Sequence, residues 1–266
     1  MSSQFIAAPG QDFDLASRPT RVELFKNKKA ALAAIKDNAK AISGLAHRLY
    51  GEADRKLLIV LQGMDTSGKD GTTEAMFHRT APLNVNVAAF KAPTKTELAH
   101  DFLWRIHQVV PKKGQITVFN RSHYEDVLVV KVREFASAET VEQRYAQINE
   151  FERLLTESGT TVLKFMLHIS NETQGERLED RLVQPHKRWK FNPGDLDDRA
   201  LWPQFMEAYQ TMVQRTSTDH APWHIIPSDS RKTRGAIISG IVRETLEKMD
   251  PQYPDPGYRP GDFEIG

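Results

Sequence analysis

The chain has no cysteine, which excludes a disulfide framework, a thiolate nucleophile and any cysteine-bound metal. It has almost no net charge. Its 36 basic and 35 acidic side chains leave a formal +1 over 266 residues, so the molecule as a whole has no field that would gather nucleic acid or an anionic membrane. No run reaches the ~18 consecutive apolar residues that mark a membrane span. The amino end, MSSQFIAAPGQDFDLAS, lacks the basic stretch and apolar core of a secretory signal. Repeats and low-complexity blocks are missing too, and His220 and His224 have no evident third ligand for zinc. The expectation is a cytoplasmic protein with no membrane and no nucleic-acid partner, in which any polyanion site is built locally.

What the chain does contain is LLIVLQGMDTSGKDGTT at 57–73. Here an apolar run enters a loop in which Gly63 and the pair Gly68 and Lys69 give the spacing G-x-x-x-x-G-K. At that spacing successive backbone N–H groups and a lysine surround a phosphoryl group at the start of a helix. The next position departs from the pattern: Asp70 stands where a Ser or Thr would put its hydroxyl on magnesium, and a second carboxylate, Asp65, lies inside the loop. The residues expected to bind phosphate are Gly63, Met64, Thr66, Ser67, Gly68, Asp70, Gly71 and Thr72, with Asp65 and Lys69 catalytic. A tight strand-to-helix turn would account for the glycines alone, and leaves Lys69 and both aspartates without a purpose.

Residues 1–19 read as irregular, and Pro19 is placed to open a long helix to about residue 50 whose apolar face includes Leu24, Leu32, Ile35, Ile42, Leu45 and Leu49. That face either packs inward or joins subunits. Strands are expected over 57–61, 84–90, 115–119, 160–169 and 223–226, and helices over 72–79, 94–109, 138–155, 172–183, 200–214 and 231–248. Residues 184–199, with Pro185, Pro193 and Gly194, resist a regular assignment and read as part of a lid at about 172–199. The proline- and glycine-rich residues 249–266 read as an extended tail. Strands alternating with helices imply an α/β fold over 20–248, with one parallel sheet covered on both faces and ligands at the carboxyl ends of its strands.

The third strand runs out at Phe119, which puts Asn120, Arg121, His123, Tyr124, Glu125 and Asp126 at that edge. Arg121 can clamp phosphoryl oxygens bidentately, and Glu125 and Asp126 can hold magnesium; Ser122 and Glu125 equally read as a capping box. His123 reads as a supporting hydrogen bond, because transfer between phosphate oxygens needs little proton removal. Lys91 and Arg105 approach the same edge, although Arg105 equally suits a structural ion pair, and Thr94 or Thr96 can cap the helix between them. A second basic group has Arg177 and Arg181 on one helix face, extended by Lys187, Arg188 and Lys190. So many donors suit the repeating charge of a phosphate chain, with Glu176, Glu179 and Asp180 interrupting the patch. Trp189 and Phe191 read as anchors of the lid in the core, the alternative being closure onto a base.

The segments GMDTSGKDGT, FKAPTKTEL, DFLWRIH, FNRSHYEDVLV, RLEDRLVQPHKRWKFNPGDLDDR and RTSTDHAPWHIIPSD together resemble the polyphosphate kinase 2 family over roughly residues 20–248. They look most like its class that phosphorylates both nucleoside mono- and diphosphates. The resemblance implies a three-layer P-loop kinase fold like that of thymidylate kinase, with a mobile helical lid. It implies Mg2+ as cofactor with Mn2+ as a substitute, inorganic polyphosphate, AMP, ADP and ATP as substrates and products, and a homodimer or homotetramer. It assigns Asp65 to metal and phosphate positioning, Lys69 and Arg121 to the transferring phosphoryl group, and Arg177, Arg181, Lys187, Arg188 and Lys190 to the polyphosphate path. Some relatives carry an aspartate before the arginine. This chain has Asn120 there, which passes the second acidic role to Asp126 or Glu125. A conventional kinase with ATP as donor and a nucleic-acid-binding scaffold are the alternatives; Asp70 and the extended basic region weigh against the first, near-neutral charge against the second.

Overall fold

The computed structural model describes residues 2–264. At its centre is a six-stranded sheet in the order β1-β6-β5-β2-β4-β3. The strands are β1 Ile6–Ala7, β2 Lys56–Gln62, β3 Val85–Ala89, β4 Ile116–Asn120, β5 Thr160–His168 and β6 Trp223–Pro227. β2 through β6 run parallel and are the five strands that the sequence predicts. β1, inside the segment expected to be irregular, pairs antiparallel with β6 at the sheet edge, Ile6 opposite His224. Two residues are too few to show an alternating pattern.

The helices are α1 Lys28–Glu52, α2 Lys69–Phe77, α3 Lys95–Leu98, α4 Trp104–His107, α5 Val129–Val132, α6 Ala138–Glu157, α7 Asn171–Val183, α8 Gly194–Ala200, α9 Trp202–Thr216 and α10 Arg231–Met249. Side chains alternate across a strand, and β2 serves two cores accordingly. Leu57, Ile59 and Leu61 pack with Ile42, Leu45 and Leu49 of α1 and Ile237, Ile241 and Leu246 of α10. Leu58 and Val60 pack with Ile148 and Phe151 of α6 and Phe205 and Met212 of α9. Each such side chain contributes about 1.5–3 kcal/mol by leaving water. The result is a three-layer α/β fold, in which most of the apolar face of α1 turns inward while Leu24 and Leu32 stay exposed. Among the described residues no helix is long and apolar enough to cross a membrane.

Residues 184–199, expected to resist a regular assignment, form the 3-10 helix Pro185–Lys190 and most of α8, and the larger boundary differences are these. α1 begins after Asn27, whose side chain accepts from the Ala30 N–H at 2.9 Å, and Pro19 lies outside it. The helix expected over 94–109 is two short pieces, α3 and α4. Thr94 caps the first with a full capping box to Glu97, but Leu98 is 68% exposed, so no continuous apolar face holds a longer helix together. The Asp101 carboxylate then accepts from the Leu103 N–H at 2.9 Å, setting a turn before α4. α2 starts at Lys69 instead of residue 72, which puts the loop lysine in its first turn.

Below the carboxyl edge of the sheet lies a buried polar centre. Lys164 Nζ donates to Glu152 Oε2 at 2.6 Å and to the Thr216 carbonyl at 2.6 Å, and Tyr124 Oη donates to Glu152 Oε1 at 2.7 Å. His123 joins it, Nε2 lying 3.4 Å from Glu152, so this histidine supports the core and not the substrate edge. The centre ties β5, α6 and α9 to the segment after β4. Removing one partner of such a buried pair costs about 3–5 kcal/mol.

Candidate active site

β2 and β4 are neighbours, and their carboxyl ends deliver the loop at 63–68 and Arg121 to one place. Both delivering segments have unusual backbone: Thr66 and Arg121 adopt φ of 63° and 61°, left-handed values that residues with side chains hold only when the surroundings fix them. The loop glycines have tertiary reasons. A Cβ on Gly63 would lie 2.7 Å from the Leu167 carbonyl oxygen of β5, and one on Gly68 would collide with the Arg234 guanidinium. Glycine at both positions is therefore what lets the loop sit against β5 and α10.

The loop, the end of β4, α7, the short 3-10 helix Pro185–Lys190 and α10 enclose a cavity of about 370 Å³. Its lining has eight cations (Lys69, Arg121, Arg177, Arg181, Lys187, Lys190, Arg231 and Arg234) against three carboxylates, Asp65, Asp70 and Asp180. Thr66, Gly68, Gly71 and Asn120 complete it. Lys69 Nζ donates to the carbonyls of Gly63 at 2.7 Å and Met64 at 3.3 Å, and burial lowers its pKa. Arg121 Nη2 donates to Asp65 Oδ1 at 2.6 Å. Burial alone would raise the Asp65 pKa, but Lys69 and Arg121 outweigh it and hold the carboxyl below its usual value. Burial also works against the charge on Arg121, and Glu125 and Asp65 more than offset it. The hydroxyls of Thr66 and Ser67 are buried without a partner, in a loop where a phosphoryl oxygen could accept from them.

Two arginines hold the loop from behind. Arg177 Nη1 donates to the Thr66 carbonyl at 2.9 Å, and its Nη2 to the carbonyls of Ser228 at 2.8 Å and Asp229 at 2.7 Å. Arg234 donates through Nη1 to the Ser67 carbonyl at 2.8 Å and through Nε to Thr72 Oγ1 at 3.0 Å. Burial, followed by the charge of Arg231, lowers Arg177 to about 10, and burial, followed by the charge of Arg177, lowers Arg234 to about 9. Arg177, expected on the polyphosphate path, thus spends its donors on backbone. Asn120 lines the cavity from the edge where the sequence places it, whereas Arg231 and Arg234 escape sequence reasoning, because the run SRKTR is the only signal that α10 approaches the loop.

The lid residues pair with acids. Lys190 Nζ donates to Asp70 Oδ2 at 3.1 Å, while Asn120 donates to Asp70 Oδ1 at 2.8 Å. Lys187 lies 3.4 Å and Arg231 3.6 Å from Asp180, and Arg181 donates to Asp195 at 2.8 Å. Arg188 points elsewhere, donating to the Leu182 carbonyl at 2.8 Å. Trp189 is not a core anchor: it is 78% exposed, its Nε1 donating to the His186 carbonyl at 3.1 Å with Lys190 5.0 Å over its ring.

The acidic pair after β4 is divided. Asp126 does not line the cavity. It lies in a separate small cleft with Arg105, 3.2 Å from Arg144, where burial raises it to about 6 despite that arginine. Arg105 donates to the Lys91 carbonyl at 2.9 Å, and neither residue lines the cavity; Glu125 reaches it only through its field on Arg121 and Lys69. Among the described residues no three His, Asp or Glu side chains converge as a metal cage. Asp65 nevertheless supplies the hard, ionised oxygen that a divalent cation binds when water and phosphate complete its shell. Asp195 is coupled to it, burial and the Asp65 charge raising it to about 6.

Residues 26–254 match the family described as polyphosphate kinase 2 (PPK2). An AMP/ADP-polyphosphate phosphotransferase of Meiothermus ruber is 49% identical over 229 residues, covering 86% of each chain. An ADP-polyphosphate phosphotransferase of Rhodopseudomonas palustris is 34% identical, over 96% of this chain and 92% of that one. The crystal structure of polyphosphate kinase 2 from Arthrobacter aurescens TC1 superposes with a TM-score of 0.90 at 37% identity, over 99% of this chain and 93% of that one. The thymidylate-kinase-like fold expected from the sequence is therefore present.

Proposed function

The chain belongs to the polyphosphate kinase 2 family, and on that premise we propose how its cavity carries out the reaction. The protein is an enzyme that transfers the terminal phosphoryl group of inorganic polyphosphate to AMP and ADP, giving ADP and ATP. The observation that carries the site assignment is the meeting of Lys69, Asp65 and Arg121 with the unpartnered Thr66 hydroxyl in one cation-rich cavity.

The donor's terminal phosphoryl sits in the cradle at 63–71. A phosphate oxygen of AMP or ADP attacks its phosphorus, the bond from that phosphorus to the bridging oxygen breaks, and polyphosphate one unit shorter leaves as an anion. The attacking oxygen is already ionised, so no general base is required. The Lys69 ammonium can exchange its two carbonyl partners for phosphoryl oxygens, and Arg121, fixed by Asp65, presents a planar fork to the transferring group. The cavity holds the two anions in line against their repulsion. Asp65 would hold Mg2+ or Mn2+, and that ion would supply neutralisation of charge on the donor oxygens. Asp70 is tied to Asn120 and Lys190, which supports polyphosphate over the ATP-donor reading, since its position lacks the magnesium-binding hydroxyl of ordinary P-loop enzymes. With ADP as acceptor both sides carry phosphoanhydrides, so the transfer runs in either direction according to concentrations.

The test supplies AMP and ADP separately with polyphosphate and magnesium and resolves the ADP and ATP formed, with ATP as a competing donor to AMP. Faster transfer from ATP than from polyphosphate would reverse the choice of donor.

A further inference from the structure

A second cleft, of about 550 Å³, lies where α1, α2 and α10 meet, and it shares Gly71, Arg231 and Arg234 with the cradle cavity. Its floor is aliphatic. Ile35 and Ala75 come within 3.0 and 3.1 Å of where a Cβ on Gly235 would lie, so that glycine lets α1 and α2 close on α10. Its rim is basic: Lys36, Arg79 and Lys232 join the two shared arginines, five full positive charges against one carboxylate, Glu74.

We propose that this cleft is the distal subsite for long polyphosphate, the chain leaving the cradle past Gly71 between Arg231 and Arg234. The inference rests on the phosphotransfer reading above and names the path of its donor. Three observations favour it. The cleft is continuous with the cradle through residues that line both. Its lining has no Phe, Tyr or Trp on which a base could stack, and its one ring is the imidazole of His78, so the repeated anionic charge of a phosphate chain suits it better than a nucleoside. Among the described residues Lys36, Arg79 and Lys232 have no ion-pair partner, whereas the lid cations Lys187, Lys190 and Arg181 are each paired with an aspartate. A phosphate held by these three cations therefore displaces no carboxylate and relieves the repulsion among them; at the passage from the cradle it competes with Asp180 for Arg231, the two lying 3.6 Å apart.

The experiment compares wild type with the triple variant Lys36→Gln, Arg79→Gln, Lys232→Gln, in which all three residues are exposed and distant from Lys69 in role. Initial rates of AMP phosphorylation are measured with long-chain polyphosphate and with tripolyphosphate across a salt series. The expected result is a KM for the long donor raised by about tenfold, with kcat and the tripolyphosphate KM unchanged. The slope of log KM against log salt should also become shallower, as fewer counterions are released on binding. The single reversal Lys36→Glu should move the long-donor KM the same way. An unchanged long-donor KM, or an equal rise for both donors, would overturn the subsite while leaving the cradle chemistry standing. Wild type that uses neither donor would overturn the reading on which it rests.

Discussion

The cradle and the lid both carry many cations, and they hold them in opposite ways. In the cradle, Lys69, Arg177 and Arg234 are 9%, 8% and 3% exposed and donate mainly to backbone carbonyls. In the lid, Lys187 and Lys190 are held by aspartates near water, in contacts of a kind worth about 0–1 kcal/mol. The cradle is built before the substrate arrives, and its charges are tied into the fold. The lid's charges rest on pairs that a phosphate can replace. A loss in the cradle should therefore appear in turnover or stability, and a loss in the lid in donor affinity alone.

The largest effect expected is that of Lys69→Ala, which removes a donor aimed at the transferring group and should lower kcat by about 10²–10³-fold with the thermal midpoint retained. Near-wild-type turnover with purified protein would end the assignment of the centre. Arg234→Met breaks the cradle differently. The Ser67 carbonyl and Thr72 lose their donor in a dry setting, for a destabilisation of about 3 kcal/mol, read as a lower denaturation midpoint. Activity with long and short donors should fall together. A stable variant with normal kinetics would mean that the loop does not depend on α10.

How much of this was legible from the chain follows the same division. Four of the five parallel strands were readable because burial leaves a largely continuous apolar run, as in LLIVL; the edge strand β3, Val85–Ala89, is mostly exposed and was readable only from its β-branched residues. The loop was readable because its chemistry is local: Gly63, Gly68 and Lys69 need only their own spacing. Arg234 was not, because its role depends on α10 starting against Gly68, a contact between residues far apart in sequence. The helix expected over 94–109 shows the converse error. Leu98, Phe102 and Ile106 have helical spacing, yet among these Ile106 alone is buried, and spacing without a surface to cover makes no helix. Asp126 looked like a metal ligand by its nearness to Arg121 in sequence; the turn after Ser122, which carries the 3-10 helix His123–Asp126, instead brings it to Arg144.

The scaffold under the cradle has an acid sensitivity of its own. His224 of β6 is buried against Phe165, its Nδ1 donating to the Lys164 carbonyl at 3.2 Å, and burial lowers its pKa to about 4. The unfolded imidazole protonates near 6.5, so above that pH the residue is neutral in both states and stability is complete. As pH falls from 6.5 towards 4 the unfolded chain takes the proton first and stability is lost, by about 1.4 kcal/mol at about pH 5.5. Burial pushes His123 and His168 in the same direction. Urea unfolding at both pH values should show the loss, and His224→Asn should diminish it. An undiminished loss would move the acid sensitivity to the other two histidines.

The smallest effects belong to the lid, and their signs are the sharper test. Lys190→Ala removes an exposed pair with Asp70, so the thermal midpoint should not move, while the donor KM rises by about two- to fivefold. Because Lys190 lines the cradle cavity, that rise should be alike for tripolyphosphate and long chains, and should shrink as salt screens the exposed charge. Asp70→Asn should act the other way: it releases Lys190 to the donor and removes a carboxylate from the cavity, so the KM falls. Equal losses in the two variants would mean that the pair is needed intact, as a strut. A rise with Lys190→Ala confined to long donors would move the path of the chain from the α1–α10 cleft to the lid.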